Sequence, residues 1–206
     1  MKKYLNLLGK KSKKAFLNKI NTKTKNKVLY NFTTLIDKNK KFILLQNKKD
    51  VKNAISKGLK ENLINRLILN SKKINQMIDS IKTISRFKDP TNVTLGKWIR
   101  PNGLKIKRVT IPIGIIGVIY ESRPNVTSDI SSLCFKSGNC VILRGGSEAY
   151  LTNKILVNLF RKSLKKNKVD ENYVQFIDTK KRKAVDFMLS KMKNYIDIII
   201  PRGGKN

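Results

Sequence analysis

The chain has 206 residues, of which 46 are Lys or Arg and 13 are Asp or Glu, a formal net charge of +33. Its 40% hydrophobic content is enough to bury a core and excludes wholesale disorder, while the absence of His and the presence of only Cys134 and Cys140 exclude disulfide frameworks, Cys/His zinc sites and His-dependent triads. The longest apolar stretch, residues 111–120, is half the ~20 residues that span a bilayer, and the apolar segment behind Met1 is too short for a secretory signal, so a cytosolic protein free of the membrane is expected.

Residues 1–86 read as lysine-rich amphipathic helices. The clearest stripe places Ile64, Leu67, Ile68, Ile74, Ile78 and Ile81 on one face at spacings of three and four. Asp89-Pro90 breaks the pattern. Trp98, Leu104 and Ile106 then alternate with charged residues around Pro101-Asn102-Gly103, a turn signal that predicts a β-hairpin. From Val109 the chain alternates strand and helix. The predicted sequence is an apolar run to Tyr120, a short helix with Ile130, Leu133 and Cys134 that ends at Gly138-Asn139, and a strand from Cys140 to Leu143. A helix carrying Leu151, Ile155, Leu156, Leu159 and Phe160 inward follows, then a strand from Tyr173 to Ile177. The last pair is a helix with Val185, Met188, Leu189 and Met192 on one face and a fully apolar strand from Ile196 to Ile200. Continuous apolar strands are those buried on both faces, so the expected class is α/β, with a parallel sheet covered by helices. Two regions are expected: residues 1–108, helical with a hairpin, and residues 109–206, the start of a sheet domain.

The lysines are scattered through every predicted helix and loop and form no dense stripe, and no aromatic-interleaved basic strand is present. Nucleic acid affinity is therefore expected to be incidental. Three polar breaks follow strands, at residues 121–125, 144–147 and 201–205, where open α/β sheets bind ligands. Two have the form Arg-Gly-Gly, at Arg144-Gly145-Gly146 and Arg202-Gly203-Gly204. Glycine lets backbone amides approach an anion, Arg supplies a bidentate fork, and the helix N-terminus behind the first adds partial positive charge. Tight strand-to-helix turns need the same glycines, so both readings stand. In the first break, Asn125 and Thr127 either hydrogen-bond a ligand or cap a helix. Cys134 shares an apolar helical face and has no His as base, so it reads as a small buried hydrophobe, as does Cys140.

Four segments carry a specific resemblance: residues 112–127 (PIGIIGVIYESRPNVT), 136–139 (KSGN), 141–148 (VILRGGSE) and 196–205 (IDIIIPRGGK). In this order they resemble gamma-glutamyl phosphate reductase, also called glutamate-5-semialdehyde dehydrogenase, of the aldehyde dehydrogenase superfamily. The similarity extends weakly backward to residues 62–81 and 47–51. The resemblance implies N-terminal helices and a hairpin followed by a partial, Rossmann-like cofactor domain. It also implies NADPH-dependent reduction of L-glutamyl 5-phosphate to L-glutamate 5-semialdehyde in proline biosynthesis, through a cysteine thioester.

By the same resemblance, Arg144, Gly145, Gly146, Ser147 and Glu148 meet the adenosine side of NADPH, and Arg202, Gly203 and Gly204 lie beside its pyrophosphate. Asn125 is implied as the catalytic amide that stabilises the oxyanion, and Arg123 as a ligand for the substrate's phosphate or carboxylate. The nucleophilic Cys of the family lies in its second half, beyond the match to this chain. That implies inactivity alone, one exposed sheet edge, low stability, and a homo-oligomer or a separate catalytic half as partner. The hairpin at residues 98–109 either joins subunits, as in the superfamily, or packs within its own chain. Two alternatives are kept: a truncated non-catalytic remnant, and a basic nucleic-acid-binding protein.

Overall fold

A computed structural model describes residues 1–203. Five helices open the chain: α1 (Lys2–Phe16), α2 (Thr22–Lys38), α3 (Lys40–Ser56), α4 (Glu61–Leu67) and α5 (Ser71–Arg86). Two start at side-chain caps. Asn21 accepts from the amide of Thr24 and Asn70 from that of Lys73, each at 2.8 Å, which satisfies one of the orphan amides that every helix start leaves. The cap at Asn70 corrects the single stripe expected from Ile64 to Ile81. The stripe belongs to two helices, with Leu67, Ile74, Ile78 and Ile81 buried and Ile68, in the linker, turned outward.

The hairpin forms as expected, β1 (Thr94–Ile99) antiparallel to β2 (Lys105–Val109), with Gly103 at φ +81° in its turn. Both strands are largely exposed, Trp98 included.

Four parallel strands build the main sheet: β3 (Ile115–Tyr120), β4 (Cys140–Gly145), β5 (Val174–Phe176) and β6 (Ile198–Arg202), in the order β5-β4-β3-β6. The connecting helices are α6 (Pro124–Lys136), α7 (Tyr150–Lys166) and α8 (Lys183–Lys191). Helix α6 ends where predicted. Gly138 takes φ +76°, the amide of Asn139 returns to the carbonyl of Cys134 at 2.8 Å and that of Gly138 to Phe135 at 3.0 Å, a Schellman stop. Helix α1 packs against β3, β4 and α8, while α6 lies on β4 and α7 on β5. A sheet covered this way needs apolar residues on both faces, and β3, β4 and β5 are buried almost throughout.

Three details differ from expectation. Strand β6 is not buried on both faces: it has one neighbour, and Ile198 and Ile200 are exposed. Leu189 of α8 is exposed as well, because Ala184 and Met188 occupy the inward positions, with Met188 over Gly117 of β3. Strand β4 runs two residues beyond Leu143, so Arg144 pairs with Ile119 and Gly145 with Tyr120 inside the sheet.

One hydrophobic core extends from Leu5, Leu29 and Phe32 through Phe135 and Phe160 to Met188 and Ile196, crossing the 108/109 boundary. Phe160 stacks tilted on Phe32 at 4.6 Å and edge-on to Phe135 at 5.7 Å, which locks the helical layer to the sheet layer. Cys134 and Cys140 are free and buried.

Candidate functional site

The chain lays down β3, β4 and β5 in one direction, then returns to place β6 on the far side of β3. This reversal opens a crevice at the carboxyl ends of the strands, where the connections diverge. The predicted polar breaks all emerge there. A cleft of about 450 Å³ is bordered by residues 119–123 after β3 and 144–148 from β4, by Leu63 and Arg66 of α4, and by Lys180 and Arg182 ahead of α8.

Arg144 is 8% exposed; its guanidinium donates to the carbonyl of Gly145 and, at 3.2 Å, to that of Lys180, while its Nε is buried without a partner. Burial pushes its pKa down, and Glu148 opposes the shift. Glu148 is the acidic end of the cleft, accepting from Ser122 and Ser147 at 2.7 Å each. Burial works against its ionisation, but the two hydroxyl hydrogen bonds and the charge of Arg144 outweigh it and hold the carboxyl below its ordinary value. Gly146 makes this contact possible: a Cβ there would stand 2.8 Å from both Ser122 Oγ and Glu148 Oε2. The β3 and β4 loops touch because that position has no side chain.

Gly145 serves a different purpose from the expected close approach to an anion. A Cβ on it would meet the Tyr120 ring at 2.9 Å and collide with the Asn153 amide. Behind it lies a buried chain in which Thr127 donates to Asn153 at 2.8 Å and so accepts from the Tyr120 hydroxyl at 2.7 Å. Thr127 therefore neither caps α6 nor reaches a ligand. The N-cap position of α6 is Arg123, with Pro124 in the first turn and no side-chain cap bond.

The expected anion seat at the N-terminus of α7 is also corrected. Asp50 of α3 fills it, accepting from the amides of Leu151 at 3.2 Å and Thr152 at 2.8 Å and from the Thr152 hydroxyl at 2.8 Å. The positive end of that helix is neutralised within the chain.

Asn125, exposed in the first turn of α6, donates to Asp129 at 3.3 Å and borders a separate groove of about 350 Å³ with Lys73, Gln76 and Ser80. Arg123 and Arg202 share a third recess of about 250 Å³ between β3 and β6, with Arg66, Glu121 and Gly203 in its wall. Gly203 approaches Glu121 so closely that a Cβ would lie 3.1 Å from its carboxylate. Gly204 lies outside the described residues. Arg144 and Arg202 thus open on adjoining clefts whose common wall holds Arg66, Tyr120, Glu121 and Arg123.

Arg66 was not among the predicted site residues, yet it borders all three grooves. A compositional signal does mark it: of nine arginines in a chain with 37 lysines, five (Arg66, Arg123, Arg144, Arg182 and Arg202) line the two adjoining clefts, against one lysine, Lys180. Cys134 and Cys140 offer no nucleophile, since burial pushes the thiol of Cys134 up to about 12 and that of Cys140 higher still. Among the described residues no helix is long and apolar enough to cross a membrane.

Sheet, crevice and helical cover together define an aldehyde dehydrogenase-type fold. The propionaldehyde dehydrogenase of Rhodopseudomonas palustris has it at 15% identity, with a TM-score of 0.68 over 97% of this chain, and so does an engineered glycolyl-CoA reductase with bound NADP+, at 15% and 0.67. No family model matches the chain. The resemblance read from its motifs nevertheless holds across its length, and the particular relatives are gamma-glutamyl phosphate reductases. Those of Aquifex aeolicus and Clostridium tetani are 44% and 42% identical over 92% and 100% of this chain, which covers 43% and 48% of their own lengths. The crystal structure of the Thermotoga maritima protein superposes with a TM-score of 0.93 at 42% identity, over 97% of this chain and 49% of that one. The chain therefore spans about half the length of the relatives it matches.

Proposed function

We propose that this chain supplies the cofactor-binding face, and part of the substrate-binding face, of an NADPH-dependent reduction of L-glutamyl 5-phosphate to L-glutamate 5-semialdehyde in cytosolic proline biosynthesis. The carrying observation is the placement of Arg144 and an ionised Glu148 in one cleft at the end of β4, each favouring the charged form of the other. Doubly wound folds read the adenosine ribose at that end, with an acid for its hydroxyls and a basic group for a 2′-phosphate. The residues fit the group. The cleft is concave, Gly146 lets the loop that carries Glu148 close against Ser122, and Arg144 keeps a buried Nε without a partner.

When bound, the nicotinamide supplies a hydride. Glu148, oriented by Ser122 and Ser147, accepts from the ribose, and Arg144, with Lys180 and Arg182 on the same wall, offsets the 2′-phosphate. Arg202 and Gly203 lie toward the pyrophosphate, and Gly204, outside the described residues, is assigned with them by the motif alone. Arg123 binds the substrate's phosphate or carboxylate, and the Asn125 amide donates to the developing oxyanion. The thioester cysteine belongs to the portion of the relatives that this chain does not match, so its own residues bind and orient.

Fluorescence titration with NADPH tests the reading. Arg144→Ala is expected to weaken binding about tenfold, the loss of one charge-assisted contact. Unchanged affinity in that variant removes Arg144 from the site and the reading with it.

A further inference from the structure

We infer that Arg66, Arg123 and Arg202 form one phosphate seat, and that Arg66, contributed by the helical region, is its specificity-determining residue. The three lie on different elements, at the end of α4, ahead of α6 and at the end of β6, yet all border the same 250 Å³ recess. Glu121 is the one acid in that wall, its carboxylate 4.0 Å from Arg66 Nη1, beyond the reach of a hydrogen bond. Three arginines against one carboxylate in the wall, with Arg202 also within electrostatic reach of Asp129, leave a surplus of positive charge, which a dianion neutralises more fully than a monocarboxylate.

Composition points the same way. Lysine outnumbers arginine about four to one in this chain, but this recess is lined by arginine alone among its basic residues. A planar fork donates two parallel hydrogen bonds to a tetrahedral oxyanion, and an ammonium on a flexible stem does not reproduce that geometry. The ligand chemistry is therefore a phosphate dianion. Two sources supply one: the acyl phosphate of the substrate, with the orthophosphate it releases, and the pyrophosphate of the cofactor. Only the naming of these sources rests on the function proposed above.

The test is titration of the full chain with inorganic phosphate, and separately with ADP, by calorimetry. Arg66→Gln and Arg123→Gln are expected to weaken orthophosphate binding about tenfold or more. Arg66→Lys should fail to restore it, and Arg86→Gln, on α5 away from the recess, should leave it unchanged. Circular dichroism verifies that each variant is folded. Wild-type orthophosphate affinity in Arg66→Gln overturns the inference. Full rescue by lysine, or equal loss in Arg86→Gln, also overturns it by reducing the effect to net charge. ADP affinity that falls together with orthophosphate affinity assigns the seat to the pyrophosphate; ADP affinity that stays constant assigns it to the substrate. Arg66-dependent orthophosphate binding in a chain that does not bind NADPH supports the seat while removing the cofactor reading.

Discussion

Asp89 lies just beyond α5, and its carboxylate receives Lys25 at 2.9 Å, the Thr91 amide at 3.0 Å and hydroxyl at 2.7 Å, and the Thr22 hydroxyl at 2.8 Å. Burial disfavours its ionised form, but these donors together outweigh burial and hold the carboxyl well below the usual carboxylate range. A depressed folded value means that the stabilisation is complete above the unfolded value of about 3.9 and is lost as pH falls below it. Lys25 is 2% exposed, so removing its partner strands a buried charge. Asp89→Asn should cost about 3–5 kcal/mol at pH 7, by urea denaturation, and the gap from wild type should narrow steadily below about pH 4. Equal stability at pH 7 would show that the pair holds nothing. In the sequence Asp89 was legible only as the residue before a helix-breaking proline. Its ionic role required Lys25, 64 positions earlier, and chain distance carries no trace of that pairing. Gly145 and Gly146 show the converse case: the need for glycine was legible, but only the packing separates contact with Asn153 from contact with Ser122.

At the scale of the element, α7 was predicted from its apolar face, and Leu156, Leu159 and Phe160 are buried as expected. Its start was not legible. The helix lacks a side-chain cap of its own, and the acceptor comes from α3, about a hundred residues away. Asn47, one turn before Asp50, ties the same junction to the α4–α5 linker, accepting from Leu69 at 2.7 Å and donating to the carbonyl of Leu67 at 3.0 Å. Asp50→Ala is therefore expected to lower unfolding free energy by about 1–2 kcal/mol, the range for losing a cap, as measured by chemical denaturation. No change would mean that water or Thr152 satisfies those amides equally well. The hairpin was legible because its signals are local: an Asn-Gly turn with alternation on either side. The exposure of β6 was not, since an apolar run reads alike in the centre of a sheet and at its edge.

Across the whole molecule, 46 basic residues face 13 acidic ones, and the described residues form six ion pairs. Self-repulsion of this size opposes the compact state. Raising salt from about 0.01 M to about 0.15 M shortens the screening length from about 30 Å to about 8 Å, so the thermal midpoint should rise by a few degrees. A falling midpoint would show that the ion pairs outweigh the repulsion. The sequence by itself determined the alternation of strand and helix, the carboxyl-end loops that carry the candidate chemistry, and the motifs that align this chain with its relatives, because periodicity and turn chemistry act over a few residues. Only the tertiary structure decided which loops meet. It brought Arg66 to the crevice, spent the α7 dipole on Asp50 and set Ser122 against Glu148, because each contact joins residues whose proximity is created by strand order and helix packing.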